Sequence, residues 1–507
     1  MHDIIIIGAG SAGSAIASRA SEDPNRTVLL IEAGPDYPDI ATTPYDLVNS
    51  HNNSYVDHDW KLDYAPTQGR STPFPRGRVT GGSSAVNTSI ALRGVPEDYD
   101  EWATLGNDEW SWKKVLPAFN RLERDLDYGD DPFHGDAGPI SIRRYPHEEQ
   151  LPQHQAFLET ASQLGYPECP DANNPTDFGA GPQPMNKLGR LRISCAIGYL
   201  APARLRPNLT IQANTFVNRL LFSGTRCIGV EIQNTDGSIE ALHAKTVVLS
   251  AGAILSPAIL MRSGLGDKQQ LESFSIDVVQ NIPAVGQNLC DHPAISVVAD
   301  VKDGAIIDFD SPIIQTILRY TAEGSDKRND LQIEQLSFVG TRKQTPRFGI
   351  AAVLEYQYGR GELQLRSANP KDAPLVNNRF CEDERDLSRL LCGLKDAMAF
   401  TKKGPLADMI SDIAFPDPAR SESDEDLRNL IRRFAGSGYH PCGTVKMGND
   451  ANSVVDQYGR MHKVDNLVVA DASIMPFVPR ANTNLTAIMI GEKIGEWLRT
   501  QPATYGL

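Results

Sequence analysis

The first thirty-four residues constrain the fold more than any other stretch of the chain. Asp3 to Ile7 is an almost unbroken apolar run, the pattern of a parallel strand buried on both faces. It ends in Gly8-Ala9-Gly10-Ser11-Ala12-Gly13, after which the sequence reads as a helix and then as a second strand, TVLLIEAG. A glycine turn of this spacing has a mechanical meaning. The first glycine makes the tight turn, the second lets a pyrophosphate approach the backbone, and the third lets the helix pack closely. Ser11 and Ala12 open the helix, where unpaired N–H groups favour an anion. Glu32, with Ala33 after it, ends the next strand, where a carboxylate can accept from ribose hydroxyls. The unit predicts a Rossmann-like site for a dinucleotide.

At 507 residues the chain is long enough for roughly two to four domains. A net charge of -15 argues against a nucleic-acid partner, because phosphate binding needs clustered Lys and Arg. The basic stretch Lys187 to Arg206 is interrupted by apolar residues and reads as a solvated face. Seven cysteines without a CxxC pair fit reduced thiols better than a disulfide framework. With a strand beginning at Asp3 there is no room for a cleaved signal, and no apolar run is long enough to span a bilayer. The expectation is a cytoplasmic protein with no membrane partner.

Proline-broken loops follow the second strand, and YDEWATLGNDEWSWKKVLPAFNRLE reads as short helices. From Asn208, short strands (LTIQA, RCIGVEI, TVVLSAGA) return, followed by a helix expected to start at Ser256-Pro257. Later strand-like AAVLEYQYG and ELQLRS precede charged helices, suggesting a sheet covered on one side. The fold class expected is α/β, α+β overall: a Rossmann-like domain of 1–95, 186–298 and 434–507, and a substrate-binding domain of 96–185 and 299–433 on an antiparallel sheet covered by helices.

A second glycine cluster, RGRVTGGSSAVN from Arg76 to Asn87, makes a backbone nest for polar ligand atoms. With GAILSPAILMRSGLG (252–266), HPCGT (440–444), ADASIMP (470–476) and NTNLTAIMIGEK (482–493), the chain resembles the glucose-methanol-choline (GMC) oxidoreductases over nearly its whole length. The resemblance implies FAD, with Arg78, Gly82 and Asn87 along the flavin, Val217 near the adenine, and Asp471 and Ala472 by the pyrophosphate or ribityl chain. Trp60 is a further cofactor candidate, although core packing explains a tryptophan equally well. Some family members attach FAD through a histidine where this chain has Val86. Valine has no nucleophile, so the flavin is expected to be non-covalent.

Oxidising an alcohol needs a base for the hydroxyl proton while hydride leaves for the flavin. His440 stands out of ten histidines: Pro441 biases it to an extended backbone, and glycines 436, 438 and 443 let the loop approach a ligand. The resemblance makes His440 the base, flavin N5 the hydride acceptor and Asn484 the second member of a His-Asn pair. Asn482, Thr483 and Asn484 are cap residues of the final helix, whose positive end would face the flavin, Thr483 among the cofactor contacts. Tyr439 is a candidate substrate-facing aromatic, and no spacing suggests a metal site. The implied reaction is FAD-dependent oxidation of a small-molecule alcohol, aromatic or furanic by analogy, with oxygen or another electron acceptor. A sugar or glycoside hydroxyl is the alternative, favoured if Gln332, Glu334 and Gln335 face the pocket. A hydroxynitrile lyase or a fatty-acid photodecarboxylase on the same scaffold is an alternative of another class.

Overall fold

Ile4 to Ile7 are buried, as a strand covered on both faces requires. In a computed structural model, which describes residues 1–67, 69–302, 307–340 and 346–507, the strand His2–Ile7 lies between Val28–Ile31 and Ile239–Leu249, parallel to both. Leu209–Gln212 extends this sheet beyond Val28–Ile31. On the other side, Leu467–Val469 runs parallel to the end of Ile239–Leu249. The first half of that long strand instead pairs antiparallel with Arg226–Gln233, and Phe216–Ser223 follows. A Rossmann-type core thus carries an antiparallel extension.

The helix Ser11–Ala20 leaves the first glycine turn and packs on the C-terminal helix Thr483–Thr500. Glu492, fully buried, ties them: its carboxylate accepts from Arg19 Nε, from Arg121 Nε at 2.6 Å and from the Tyr199 hydroxyl at 2.6 Å. Both helices therefore start at the same place in the molecule.

The second sheet is antiparallel in the order Ile410–Phe415, Pro293–Val301, Arg347–Leu354, Leu331–Leu336, Ile314–Tyr320, Gly179–Pro182. The helix Glu384–Phe400 covers one face, burying Leu387, Leu390, Leu391, Leu394 and Ala397. Asp383 starts it by accepting from the Arg385 N–H. Alternate residues on the other face line the cavity described below.

Three sequence expectations are corrected. The boundary at 298/299 falls inside Pro293–Val301, which pairs as one strand of the second sheet. ELQLRS does not join that sheet; Glu362–Gln364 pairs with Leu375–Asn377 in a separate hairpin. The helix expected to start at Ser256-Pro257 starts at Gly252, with Pro257 inside it. Proline cannot donate to the carbonyl four residues back, and here the Thr444 hydroxyl donates to that carbonyl, Ala253 O, at 2.6 Å. Among the described residues no helix is long and apolar enough to cross a membrane.

Candidate active site

A cavity of about 610 Å³ lies between the two sheets and the two helix starts. Gly8, Gly10, Ser11, Ala12, Glu32, Ala33, Trp60, Gly82, Asn87, Val217, Asp471, Ala472, Thr483 and Asn484 line it, as do Tyr439 and His440. Gly13 does not, for the reason its position in the motif supplies: a Cβ there would stand 2.0 Å from the Gly8 carbonyl, so the helix rests on the turn. The two glycine clusters meet, since a Cβ on Gly82 would lie 2.6 Å from Gly10 Cα.

The residues fit a dinucleotide. The helix Ser11–Ala20 has no side-chain cap on its first N–H groups, which leaves them for a pyrophosphate. Glu32 accepts from the N–H groups of Ala9 and Gly34 at 3.0 and 2.8 Å, and burial pushes its carboxyl up to about 7. Asp471 accepts from the Gly252 N–H and the Ser256 hydroxyl, fixing a third helix start against the cavity. Val86 lines the wall with an apolar side chain.

Arg78 is not among the side chains that line the cavity, although it lies next to two that do, Trp60 and Glu32. Its guanidinium lies 5.1 Å over the Trp60 ring, and Arg76 and Gly77 line the cavity instead. Arg76 donates to the Tyr439 carbonyl at 2.9 Å and covers the Phe74 ring. Tyr439 has a left-handed backbone, φ 67°, rare for a bulky residue, and its ring lies 6.1 Å from that of Tyr55.

His440 is held from three sides. Its backbone N–H donates to Asp291 Oδ1 at 2.9 Å, its Nδ1 lies 3.0 Å from His292 Nδ1, and Asn482 Nδ2 donates to its Nε2 at 3.0 Å. With Nε2 accepting, the proton of the neutral ring sits on Nδ1, toward His292. Burial, with His292 and Arg76 nearby, holds the pKa of His440 well below 6.5. Nε2 is therefore an unprotonated acceptor at the cavity wall. Asp291 is the hub: it also accepts from the Ser437 hydroxyl and the Asn378 amide, and burial raises its carboxyl to about 6.

The partner of His440 is thus Asn482, not Asn484. Asn482 occupies the N-cap of the final helix yet makes no side-chain cap bond, forgoing roughly 1 kcal/mol to reach the histidine. Its Oδ1 has no partner among the described residues. Asn484, the second residue of the helix, lines the cavity and accepts from the Ser11 hydroxyl at 2.7 Å, joining the two helix starts. Gln332 and Glu334 face the cavity, but Gln335 does not, because successive strand residues point to opposite faces.

Sequence reasoning missed Asp291, His292, Arg76 and Asn482. One signal was available: Asp291-His292-Pro293 repeats the His-Pro of 440–441. The structure also gathers Glu123, Asp125 and His134, whose ligand-type atoms lie within 4.8 Å of one another. Both ring nitrogens of His134 are occupied by carboxylates, and Arg93 and Arg144 neutralise the acids, so the group is an ion-pair network.

A glycine cradle leading to a neutral histidine with an amide partner defines a dinucleotide-dependent oxidoreductase site. Residues 2–294 and 357–491 match the amino- and carboxy-terminal profiles of the GMC oxidoreductases. The chain is 36% identical to 5-(hydroxymethyl)furfural oxidase of Methylovorus sp. (strain MP688), covering 99% of each chain. It is 35% identical to an oxygen-dependent choline dehydrogenase of Klebsiella pneumoniae, covering 98% of this chain and 96% of the other. The crystal structure of pyridoxine 4-oxidase from Mesorbium loti superposes with a TM-score of 0.91 at 28% identity, over 98% of both chains. The chain belongs to the GMC oxidoreductase family. It is an FAD-dependent alcohol oxidoreductase, acting on a small molecule with an electron acceptor.

Proposed function

We propose that the chain oxidises the primary hydroxyl of an aromatic or furanic alcohol, with His440 as base, Asn482 as hydroxyl-positioning partner and FAD held without a covalent bond. The observation that carries this reading is the neutral His440 ring presenting Nε2 at the cavity wall beside the Asn482 amide. FAD, when bound, supplies the hydride acceptor. When the alcohol binds, the Asn482 amide passes from His440 Nε2 to the substrate oxygen, and the lone pair so freed on Nε2 takes the hydroxyl proton. His292 Nδ1 receives the hydrogen bond from His440 Nδ1, which fixes the tautomer and the ring plane. The resemblance to a furfural oxidase supports the substrate class. The seven unpaired thiols support a reducing, cytoplasmic setting.

Purified holoenzyme is mixed anaerobically with aryl alcohols, furanic alcohols and sugars while flavin absorbance is followed. Bleaching by the aryl and furanic alcohols is expected; bleaching by sugars alone would overturn the substrate class. Flavin that stays oxidised with every alcohol would overturn the hydride-transfer reading in favour of lyase chemistry. Readmitted air separates an oxidase, which regains colour rapidly, from a dehydrogenase using another acceptor. Acid precipitation is expected to release the yellow colour into the supernatant, because Val86 offers no attachment atom.

A further inference from the structure

The wall of the cavity formed by the antiparallel sheet carries a carboxylate that no cation among the described residues answers. Strand alternation turns Gln332, Glu334 and Leu336 toward the cavity. The register sets Ala351 beside Glu334 and Ser296 beyond Ala351, and these small side chains also line the cavity. Space is therefore left over the carboxyl. The hydrogen bond Glu334 receives comes from Gln332 Nε2, at 2.5 Å, and Gln332 Oε1 has no partner among the described residues.

Four cations line the cavity, Lys61, Arg76, Arg262 and the exposed Lys371, and none of them acts on the Glu334 carboxyl, which feels only its burial and Gln332. Arg76 donates to the Tyr439 carbonyl, Lys61 donates to the carbonyls of Tyr55 and Val56, and Arg262 donates to the Asn218 carbonyl. Among the described residues no salt bridge of the chain involves Glu334. Burial without a counter-charge pushes its carboxyl up to about 7. Such a group is costly to leave ionised when it is buried, so a ligand bringing its own cation recovers a cost that a neutral ligand leaves in place. The π faces of Tyr55 and Tyr439, which line the same cavity, also tolerate a cation.

We propose that Glu334 is a specificity-determining residue that recognises a protonated amine, so that the preferred substrate is an amino alcohol whose ammonium pairs with this carboxylate. This rests on the alcohol-oxidising reading above. Pairing draws Glu334 into its ionised form, and the small residues at 351 and 296 admit the ammonium head.

The test uses holoenzyme at pH 7.5 and two alcohols of matched shape, 4-(aminomethyl)benzyl alcohol and 4-methylbenzyl alcohol. The ratio of their kcat/KM values is expected to favour the cation by at least about tenfold, the effect of one well-placed charged hydrogen bond. Glu334→Gln should bring the ratio near one, and Glu334→Asp should keep most of it. A ratio near one in the wild type, or a ratio unchanged in Glu334→Gln, overturns the proposal. A preference for xylitol over both arenes also overturns it, in favour of a hydroxyl-rich substrate served by a protonated Glu334. If neither aryl alcohol bleaches the flavin, the oxidation reading fails for this class, and a binding measurement decides the subsite independently. Benzylammonium titrated against the flavin absorbance should bind at least about tenfold more weakly to Glu334→Gln than to the wild type; equal affinities overturn the proposal.

Discussion

Two buried histidine clusters of this molecule are built from similar parts and are set to opposite charge states. In one, His134 Nδ1 donates to Glu123 and Asp125 at 3.0 and 3.2 Å, and Nε2 donates to Asp171 at 2.8 Å. Three carboxylates at hydrogen-bond distance outweigh the burial, and the pKa of His134 rises to about 10. In the other, the ring of His440 touches a second histidine and an amide. Asp291 is adjacent but spends its oxygens on backbone N–H groups, Ser437 and Asn378. Glu355 lies 3.6 Å from His292, but burial holds its pKa well above the usual carboxylate range, so it brings no anion. Burial then wins, and His440 and His292 stay neutral, His292 with a pKa near 3. The difference teaches that the nearest ring contacts decide whether a histidine here is a permanent cation or a base.

The largest effect expected is on the base. His440→Ala should slow anaerobic flavin reduction by roughly 10² to 10⁴-fold while the protein still purifies yellow; reduction at the wild-type rate would sink the base assignment. With saturating 4-methylbenzyl alcohol, which makes no use of the Glu334 charge, the wild-type rate should stay level as pH falls through 6.5, because His440 protonates only well below that value. An acid limb centred at or above 6.5 would break the contrast between the clusters.

For the cation, stability is the readout. Removing one member of a buried, charge-matched network costs roughly 3–5 kcal/mol. His134→Gln should therefore lower the urea midpoint sharply. The sign follows from linkage: the folded pKa of about 10 exceeds the unfolded 6.5, so the contribution of His134 is complete below pH 6.5 and is lost as pH rises through about 10. Wild type should lose stability along that alkaline limb, and His134→Gln should lose less. His440 and His292 act in reverse, contributing above pH 6.5 and losing that contribution as pH falls toward the folded values. Equal alkaline limbs in variant and wild type would show that His134 is not charged in the folded protein.

What the sequence made legible follows the same division between contiguous and assembled features. Gly8, Gly10 and Glu32 lie in one βαβ unit, so spacing alone places them on a cradle. His440 is marked by Pro441 and its flanking glycines. The cavity wall of the second sheet is different: Ala294, Ser296, Glu334, Ala351 and Val353 reach it from three strands, and only pairing register brings them together. Gln335 was misplaced because alternation has to be counted from an observed partner. Asn482 was missed because three consecutive polar residues begin the final helix, and which of them reaches His440 depends on the helix start, observed at Thr483.

That helix start supplies the smallest effect and the sharpest discrimination. Asn482 gives up its cap to contact Nε2, so Asn482→Ala removes the amide that holds the reacting oxygen and should slow flavin reduction by roughly 10 to 100-fold, the size of a hydrogen bond to a group gaining charge. Asn484 bonds Ser11 across the helix pair and leaves Nε2 free, so Asn484→Ala should change the reduction rate less than Asn482→Ala and weaken FAD retention instead. Stopped-flow reduction and the fraction of protein purified with flavin separate the two roles. The reverse result, slow chemistry in Asn484→Ala and loose cofactor in Asn482→Ala, would restore the pairing the resemblance implied and would mean that the Asn482 contact is not the one used in turnover.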